Sequence, residues 1–316
     1  LWAPVTSQTD EERREGLLQM IRVVAGASLA SWALGRLVGA GDRESGADQP
    51  LAGLTPAGTP EPVAETQGTL PAQAEAVPIG ADGRIVPVPG TREEVTPEGE
   101  FYSVDIAASP PTIDGETWRL NVSGLFDNAS NLTLSDLRAY PAHTQPITLS
   151  CISNSVGGSA ISTGYWIGLR FQELMADLGL QAEANFLFVK AADGFYETVP
   201  MAVIEDPRTL LVYGMNDRSL PRKHGYPLRI YIPNRYGMKQ PKWIQSMEAV
   251  AEDQGGYWTE RGWSKQAIAK TTSVIDVVAT DEAHDGLVPV GGVAWAGARG
   301  IQRVDVQVDG GEWTEA

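Results

Sequence analysis

The stretch that decides the reading is TLSCISNSVGG, residues 148–158, which holds Cys151, the only cysteine among 316 residues. The residues PITL just before it are apolar and β-branched, the pattern of a buried strand. Ser153, Asn154, Ser155 and the pair Gly157-Gly158 follow at once, a loop composition. One thiol therefore stands where a strand stops and a polar loop starts, the kind of place where a rigid scaffold presents reactive groups. A buried structural cysteine is the competing reading, since free cysteine is among the most buried residue types. The two readings are separated only by what surrounds the loop.

Working outward, residues 101–270 read as an α+β domain. TWRLNVSG (117–124) alternates, with Trp118, Leu120 and Val122 on one face. Thr133 and Asp136 have capping-box spacing for a short helix closed by Pro141. Phe171, Leu174, Met175 and Leu178 share a helical face, and Gly179 supplies the stop. NFLFVKAADGFYETVPM predicts a hairpin turning at Asp193-Gly194. TLLVYGMND and PLRIYIP are further strands. Strands dominate without regular β–α alternation, which excludes a doubly wound sheet.

HGYPLRIYIPNRYGMKQPKW (224–243) is the second informative stretch. His224, Arg229 and Lys242 flank a strand–loop unit scaffolded by glycine and proline, a donor set suited to a phosphate or other polyanion. The alternative is three solvated surface cations. Neither GxGxxG nor a Walker motif is present, so no common mononucleotide site is expected. His143 and His284 have no metal-ligand partners at motif spacing and read as surface residues.

The net charge is −16. Residues 41–100 carry eleven Asp/Glu against three Arg, so half of that charge lies in one Pro-, Gly- and Ala-rich segment. Such a segment cannot bury enough apolar surface to offset its ordering entropy, and it is expected to be a disordered, self-repelling linker. No basic cluster suits a phosphate backbone, so nucleic acid is not an expected partner. Residues 1–40 contain Arg13-Arg14 and an uncharged run of thirteen residues, 23–35, between Arg22 and Arg36. The run is short of the ~20 residues that span a bilayer, but it suits a signal-like h-region or a span with snorkelling arginines. RREGLLQ is similar to a twin-arginine export signal. An amphipathic helix is the alternative. The expected order is a membrane anchor or export helix, a tether, and an extracytoplasmic head at the cell membrane. The first residue is a leucine and the last residues, GEWTEA, fall within a strand pattern, so the chain is expected to be a fragment or a processed segment.

Taken in order and spacing, TLSCISNSVGG, GSAISTGYWIGLRFQELMADLGL and HGYPLRIYIPNRYGMKQPKW resemble the sulfite oxidase superfamily of molybdopterin enzymes, from about residue 101 onward. GVAWAGARGIQRVDVQVDGGEW (292–313) resembles the start of the immunoglobulin-like dimerisation domain of many members. Residues 271–316 are therefore expected to be a truncated Ig-like β-sandwich, consistent with the Val304, Val306, Val308 alternation and the Asp309-Gly310-Gly311 turn, and a homodimer is a corresponding expectation.

The resemblance implies an enzyme with a Mo-molybdopterin cofactor, in which Cys151 is the thiolate ligand to molybdenum; soft thiolates suit such a metal. It assigns His224, Arg229, Gln240, Pro241 and Lys242 to the pterin and its terminal phosphate, and Tyr102 and Ser103 to the same cofactor. Trp263 falls where sulfite-oxidising members carry a pocket tyrosine. Those members surround the metal with arginines, whereas here Ser103-Val104 and Ser155-Val156 occupy the matching positions. The expected substrate is therefore a neutral or weakly charged S- or N-oxide, with sulfite as the alternative and Arg235 and Arg261 as residues able to restore charge. A cofactor-free, tethered anion-binding module is the alternative of another class. The sequence contains no CxxCH haem site, cysteine cluster or flavin or NAD fingerprint. Electrons are thus expected to pass to or from a separate cytochrome, haem subunit or membrane quinone pathway.

Overall fold

The computed structural model describes residues 86–282 and 288–316. The export-like helix expected over 1–40, most of the expected linker, and His284 lie outside the described residues. Among the described residues no helix is long and apolar enough to cross a membrane.

The strands run in chain order as β1 (Leu120–Gly124), β2 (Ser130–Leu132), β3 (His143–Ser150), β4 (Ile161–Arg170), β5 (Phe186–Ala191), β6 (Tyr196–Pro200) and β7 (Leu210–Met215). They continue as β8 (Arg218–Ser219), β9 (Arg229–Tyr231), β10 (Ile244–Val250), β11 (Thr272–Val278), β12 (Val290–Trp295), β13 (Asp305–Gln307) and β14 (Trp313–Glu315). Short helices α1 (Leu134–Arg138), α2 (Phe171–Leu178) and α3 (Met201–Ile204) interrupt them. One five-stranded sheet has the order β2-β1-β10-β5-β6, and a second runs β3-β4-β7-β8 with β9 paired to β7. All pairings are antiparallel except β1 with β10. The α+β expectation is met.

Local sequence chemistry accounts for the elements. Thr133 and Asp136 form the reciprocal capping box that starts α1, satisfying donors a helix start leaves orphaned. Gly179, at φ +69°, ends α2, whose Phe171, Leu174, Met175 and Leu178 are all buried. β5 and β6 form the expected hairpin through Asp193-Gly194. β7 is buried at every position, which is why LLVYGM reads as a continuous apolar run: it is covered on both faces. Trp166, Tyr213 and Phe171 are fully buried and anchor one continuous core.

Two expectations change. The last part of the expected linker is ordered against the head. Thr96 exchanges hydrogen bonds with Thr163 of β4, N to O at 2.9 Å and Oγ1 from N at 3.0 Å, and Arg92 pairs with Asp276 of β11 at 2.6 Å. Specific partners on the head thus offset the ordering entropy that composition alone leaves unmet. At the other end, residues 271–316 contain two separate two-stranded sheets, β11–β12 and β13–β14. The β13–β14 hairpin turns at Asp309-Gly310 as expected. These two small sheets are what the described residues show of the expected Ig-like region.

Candidate active site

Six segments meet at one cleft. They are the strap 101–106 ahead of β1, the loop after β3, the hairpin turn 193–195 and the turn at Arg222–His224 leading to β9. The turn at Gly237–Lys239 with residues 240–243, and the loop 256–263 after β10, complete it. The cleft is a concave, mostly apolar site with a few convergent polar groups, the kind that takes small molecules and cofactors. Cys151, Tyr102, Ser103, His224, Arg229, Gln240, Pro241, Lys242 and Trp263 all line it. These nine come from four separate stretches of the sequence.

Cys151 sits immediately beyond β3, its N–H donating to the Ala160 carbonyl at 2.9 Å. Asn154 closes the loop: its N–H donates to the Cys151 carbonyl at 3.1 Å, and its Oδ1 accepts from Ala160 N at 3.0 Å. The thiol is half-buried, with Ser153 Oγ 3.2 Å from Sγ. It is the strand-end, accessible thiol of the two readings, not the core one.

The cationic end is built on Gly225. Its φ of +115° lets the chain reverse between His224 and β9, and a Cβ there would lie 3.1 Å from both Arg229 Cβ and Lys242 Cβ. Glycine at 225 thus suits both the left-handed turn and the close approach of Arg229 and Lys242. Arg229 is 5% exposed, donates to the His224 carbonyl at 3.0 Å and stacks over Trp166 at 4.8 Å. Burial brings its pKa down to about 10, so it stays charged at neutral pH.

Lys242 donates to Ser103 Oγ at 3.1 Å and the Lys223 carbonyl at 3.2 Å, pairs with Asp105, and lies over the Trp243 ring at 4.4 Å. Burial lowers its pKa to about 8, against the pull of Asp105 in the other direction. His224 differs from the other two. It is 1% exposed under the Phe101 ring, and burial, with Arg229, Lys223 and Lys242 adding to it, lowers its pKa to about 3. It is a neutral imidazole and adds no charge. The reading as three solvated surface cations fails on burial alone.

Two polar atoms of this set lack partners: His224 Nε2 and Gln240 Oε1 are buried and unbonded, although Gln240 Nε2 donates to the Arg235 carbonyl at 2.8 Å. Buried polar groups are ordinarily hydrogen-bonded, so these atoms fit a polar ligand lying along the cleft. A heteroaromatic ring system with a terminal phosphate meets that donor set, and the Cys151 sulfur in the same cleft suits a soft metal. Tyr102 forms part of the strap, its hydroxyl 2.8 Å from where a Cβ on Gly237 would stand. Burial raises its pKa well above the usual phenol value, with Cys151 adding to the rise and Arg229 opposing it, so it remains a neutral phenol.

Several groups escaped sequence reasoning. Asp105, Asp193, Phe195 and Trp258 also line the cleft; the capture of Asp193 and Phe195 was hidden behind an evident hairpin turn. Lys239, one turn before Lys242, is 4% exposed and pairs at 2.7 Å with Glu197, which is fully buried. Arg235 and Arg261 do not line the cleft. Arg235 donates to the Gln266 carbonyl at 2.8 Å, and Arg261 stacks 3.6 Å over Tyr257. His143 is half-buried and 3.3 Å from Glu173, so its reading as a surface residue is corrected: β3 sets it beside α2.

Residues 107–258 match the family described as oxidoreductase molybdopterin binding domain. Mitochondrial sulfite oxidase from Mus musculus is 30% identical over 271 residues, covering 72% of this chain and 50% of the relative. A putative protein-methionine-sulfoxide reductase subunit, YedZ1 of Azospira oryzae, is 32% identical over 152 residues, covering 48% of this chain and 56% of the relative. The sulfane dehydrogenase SoxCD from Paracoccus pantotrophus has the same fold at a TM-score of 0.62 and 23% identity, covering 71% of this chain and 64% of that one. The chain spans about half the length of the sulfite oxidases it matches. Residues 107–258 are an oxidoreductase molybdopterin binding domain, and the chain is similar to the sulfite oxidases over 72% of its length.

Proposed function

We propose that the chain catalyses oxygen-atom transfer on a neutral or weakly charged S- or N-oxide, with Cys151 as the molybdenum thiolate ligand. The observation that carries the reading is the make-up of the cleft. Among the described residues that line it the only cations are Arg229 and Lys242, matched by the carboxylates Asp105 and Asp193, and the remaining wall includes Trp258, Trp263, Phe195 and Ile152. When bound, the cofactor supplies a metal at which an oxygen atom is exchanged in a two-electron step. Arg229 and Lys242 would hold its phosphate, and neutral His224 and Gln240 would hydrogen-bond its ring system. Tyr102, Ser103 and Pro241 would close against it. With both cations so engaged, none is left for a substrate dianion.

Trp263 and Trp258, in edge-to-face contact at 6.2 Å, offer an apolar wall for the alkyl groups of a sulfoxide. A separate cytochrome, haem subunit or quinone pathway completes the redox cycle in this proposal. An exported, membrane-tethered placement belongs to it too, supported by the sequence of residues 1–40.

Steady-state assays with artificial electron carriers test the substrate class. Each charge-assisted hydrogen bond missing from an anion site is worth about 1.5–3 kcal/mol. Methionine sulfoxide should therefore exceed sulfite in kcat/KM by about a hundredfold or more. Comparable or better turnover of sulfite would overturn the substrate assignment and favour the sulfite oxidase reading.

A further inference from the structure

Lys242 already has a counter-ion. Its ammonium is paired with Asp105 and shares Ser103 Oγ with it, since Ser103 Oγ also lies 3.1 Å from an Asp105 oxygen. The Lys242 and Asp105 side chains are 13% and 15% exposed, so the pair is largely desolvated. Ser103 and Asp105 belong to the strap 101–106, every residue of which lines the cleft. Phe101 fixes one end of the strap, 3% exposed and packed on Trp166 and His224. Val104, between the two polar residues, is 54% exposed, so this part of the strap is an outer wall. Ser103 Oγ is also 3.1 Å from the Lys223 carbonyl, which itself accepts from Lys242. The outer half of the strap is thus tied to the cleft floor largely through one ammonium.

We propose that Asp105 is an internal competitor for the phosphate on Lys242, which the phosphate displaces as it binds, releasing strap residues 103–106. This rests on the assignment of Lys242 to the cofactor phosphate. A buried ammonium without a partner is costly, and Asp105 meets that cost until a stronger acceptor arrives. A phosphate offers more oxygens and more charge than a carboxylate. The two anions do not share the site without repulsion, because like charges in a poorly solvated pocket oppose each other. Asp105 therefore weakens phosphate retention and couples ligand entry to movement of the cleft wall.

The full chain, purified from cells unable to make molybdopterin, is titrated with inorganic phosphate, with Trp243 beneath the ammonium as fluorescent reporter. Asp105→Asn, close to isosteric, should bind phosphate at least about tenfold tighter than the unaltered chain, the effect of one charge-assisted contact. Lys242→Met should abolish binding, and adding Asp105→Asn to it should restore nothing. Phosphate should also speed amide exchange at residues 103–106 of the unaltered chain. In cells with limiting cofactor, Asp105→Asn should hold more molybdenum per chain.

If Lys242→Met binds phosphate normally, the assignment of Lys242 fails. If Lys242→Met loses phosphate while Asp105→Asn gains nothing, only the competition fails. A gain that persists without Lys242, or unchanged amide exchange in the strap, also overturns the displacement. Asp105→Ser serves as a second variant, with the same outcomes expected.

Discussion

Cys151→Ser is expected to leave a folded chain whose molybdenum-dependent turnover falls by more than the 10–100-fold typical of an outer-shell change at a metal site. Serine keeps the size and the loop's backbone hydrogen bonds, because Cys151 N–H to the Ala160 carbonyl and Asn154 N–H to the Cys151 carbonyl involve no sulfur. The side chain is half-buried and leaves the core untouched, so the stability change should stay within about 1 kcal/mol. An alcohol is a far poorer ligand for a soft, thiol-preferring metal than a thiolate. Molybdenum content, turnover and denaturant midpoint, measured on one preparation, decide the matter. Full turnover in a stably folded variant would remove Cys151 from the metal; collapse of the fold would return it to the structural role first weighed against it.

The sequence made local features legible because each is carried by neighbours in the chain. The strand–loop junction at Cys151, the Thr133–Asp136 box, the helix stopped by Gly179 and the hairpin at Asp193-Gly194 all depend on residues a few positions apart. The nine expected residues that line the cleft are reachable through the resemblance, since their order along the chain is what carries it. Environment was not legible. Whether His224 is a cation depends on Phe101 above it and on the burial of the turn. Asp105 meets Lys242 from 137 positions away, and Glu197 meets Lys239 from 42. The ordered stretch that includes Arg92 and Thr96 looked like linker because its partners, Asp276 and Thr163, lie far off in sequence. Composition reports what a segment can bury by itself, not what another segment offers it.

Lys239→Met should be the most destabilising single change in the cleft's walls, at about 3–5 kcal/mol, the cost of leaving a buried charge without its partner. Glu197 is 0% exposed and its Oε2 lacks a hydrogen bond; besides Lys239 only the Thr198 N–H, 3.1 Å from Oε1, donates to it among the described residues, and that N–H carries no charge. The pair also joins two walls. Lys239 ends the turn that leads to Gln240 and Lys242, while Glu197 of β6 pairs with Gly256 at the start of the tryptophan loop. Burial already raises the Glu197 pKa to about 7 against the opposing pull of Lys239. Removing Lys239 takes away that pull, so the folded-state pKa rises further above the unfolded value. A carboxyl with a raised folded pKa adds stability that is fully present below the unfolded pKa and is lost as pH rises through the folded one. The stability gap between the variant and the unaltered chain should therefore widen from about pH 6 to about pH 8. Denaturant midpoints at the two pH values test this. A gap that is constant, or that narrows as pH rises, would show that Glu197 is not the charge left stranded. Replacing both residues, with Glu197→Leu and Lys239→Met, should recover much of the loss and flatten the pH dependence, because apolar pairs of similar volume substitute well for buried ion pairs.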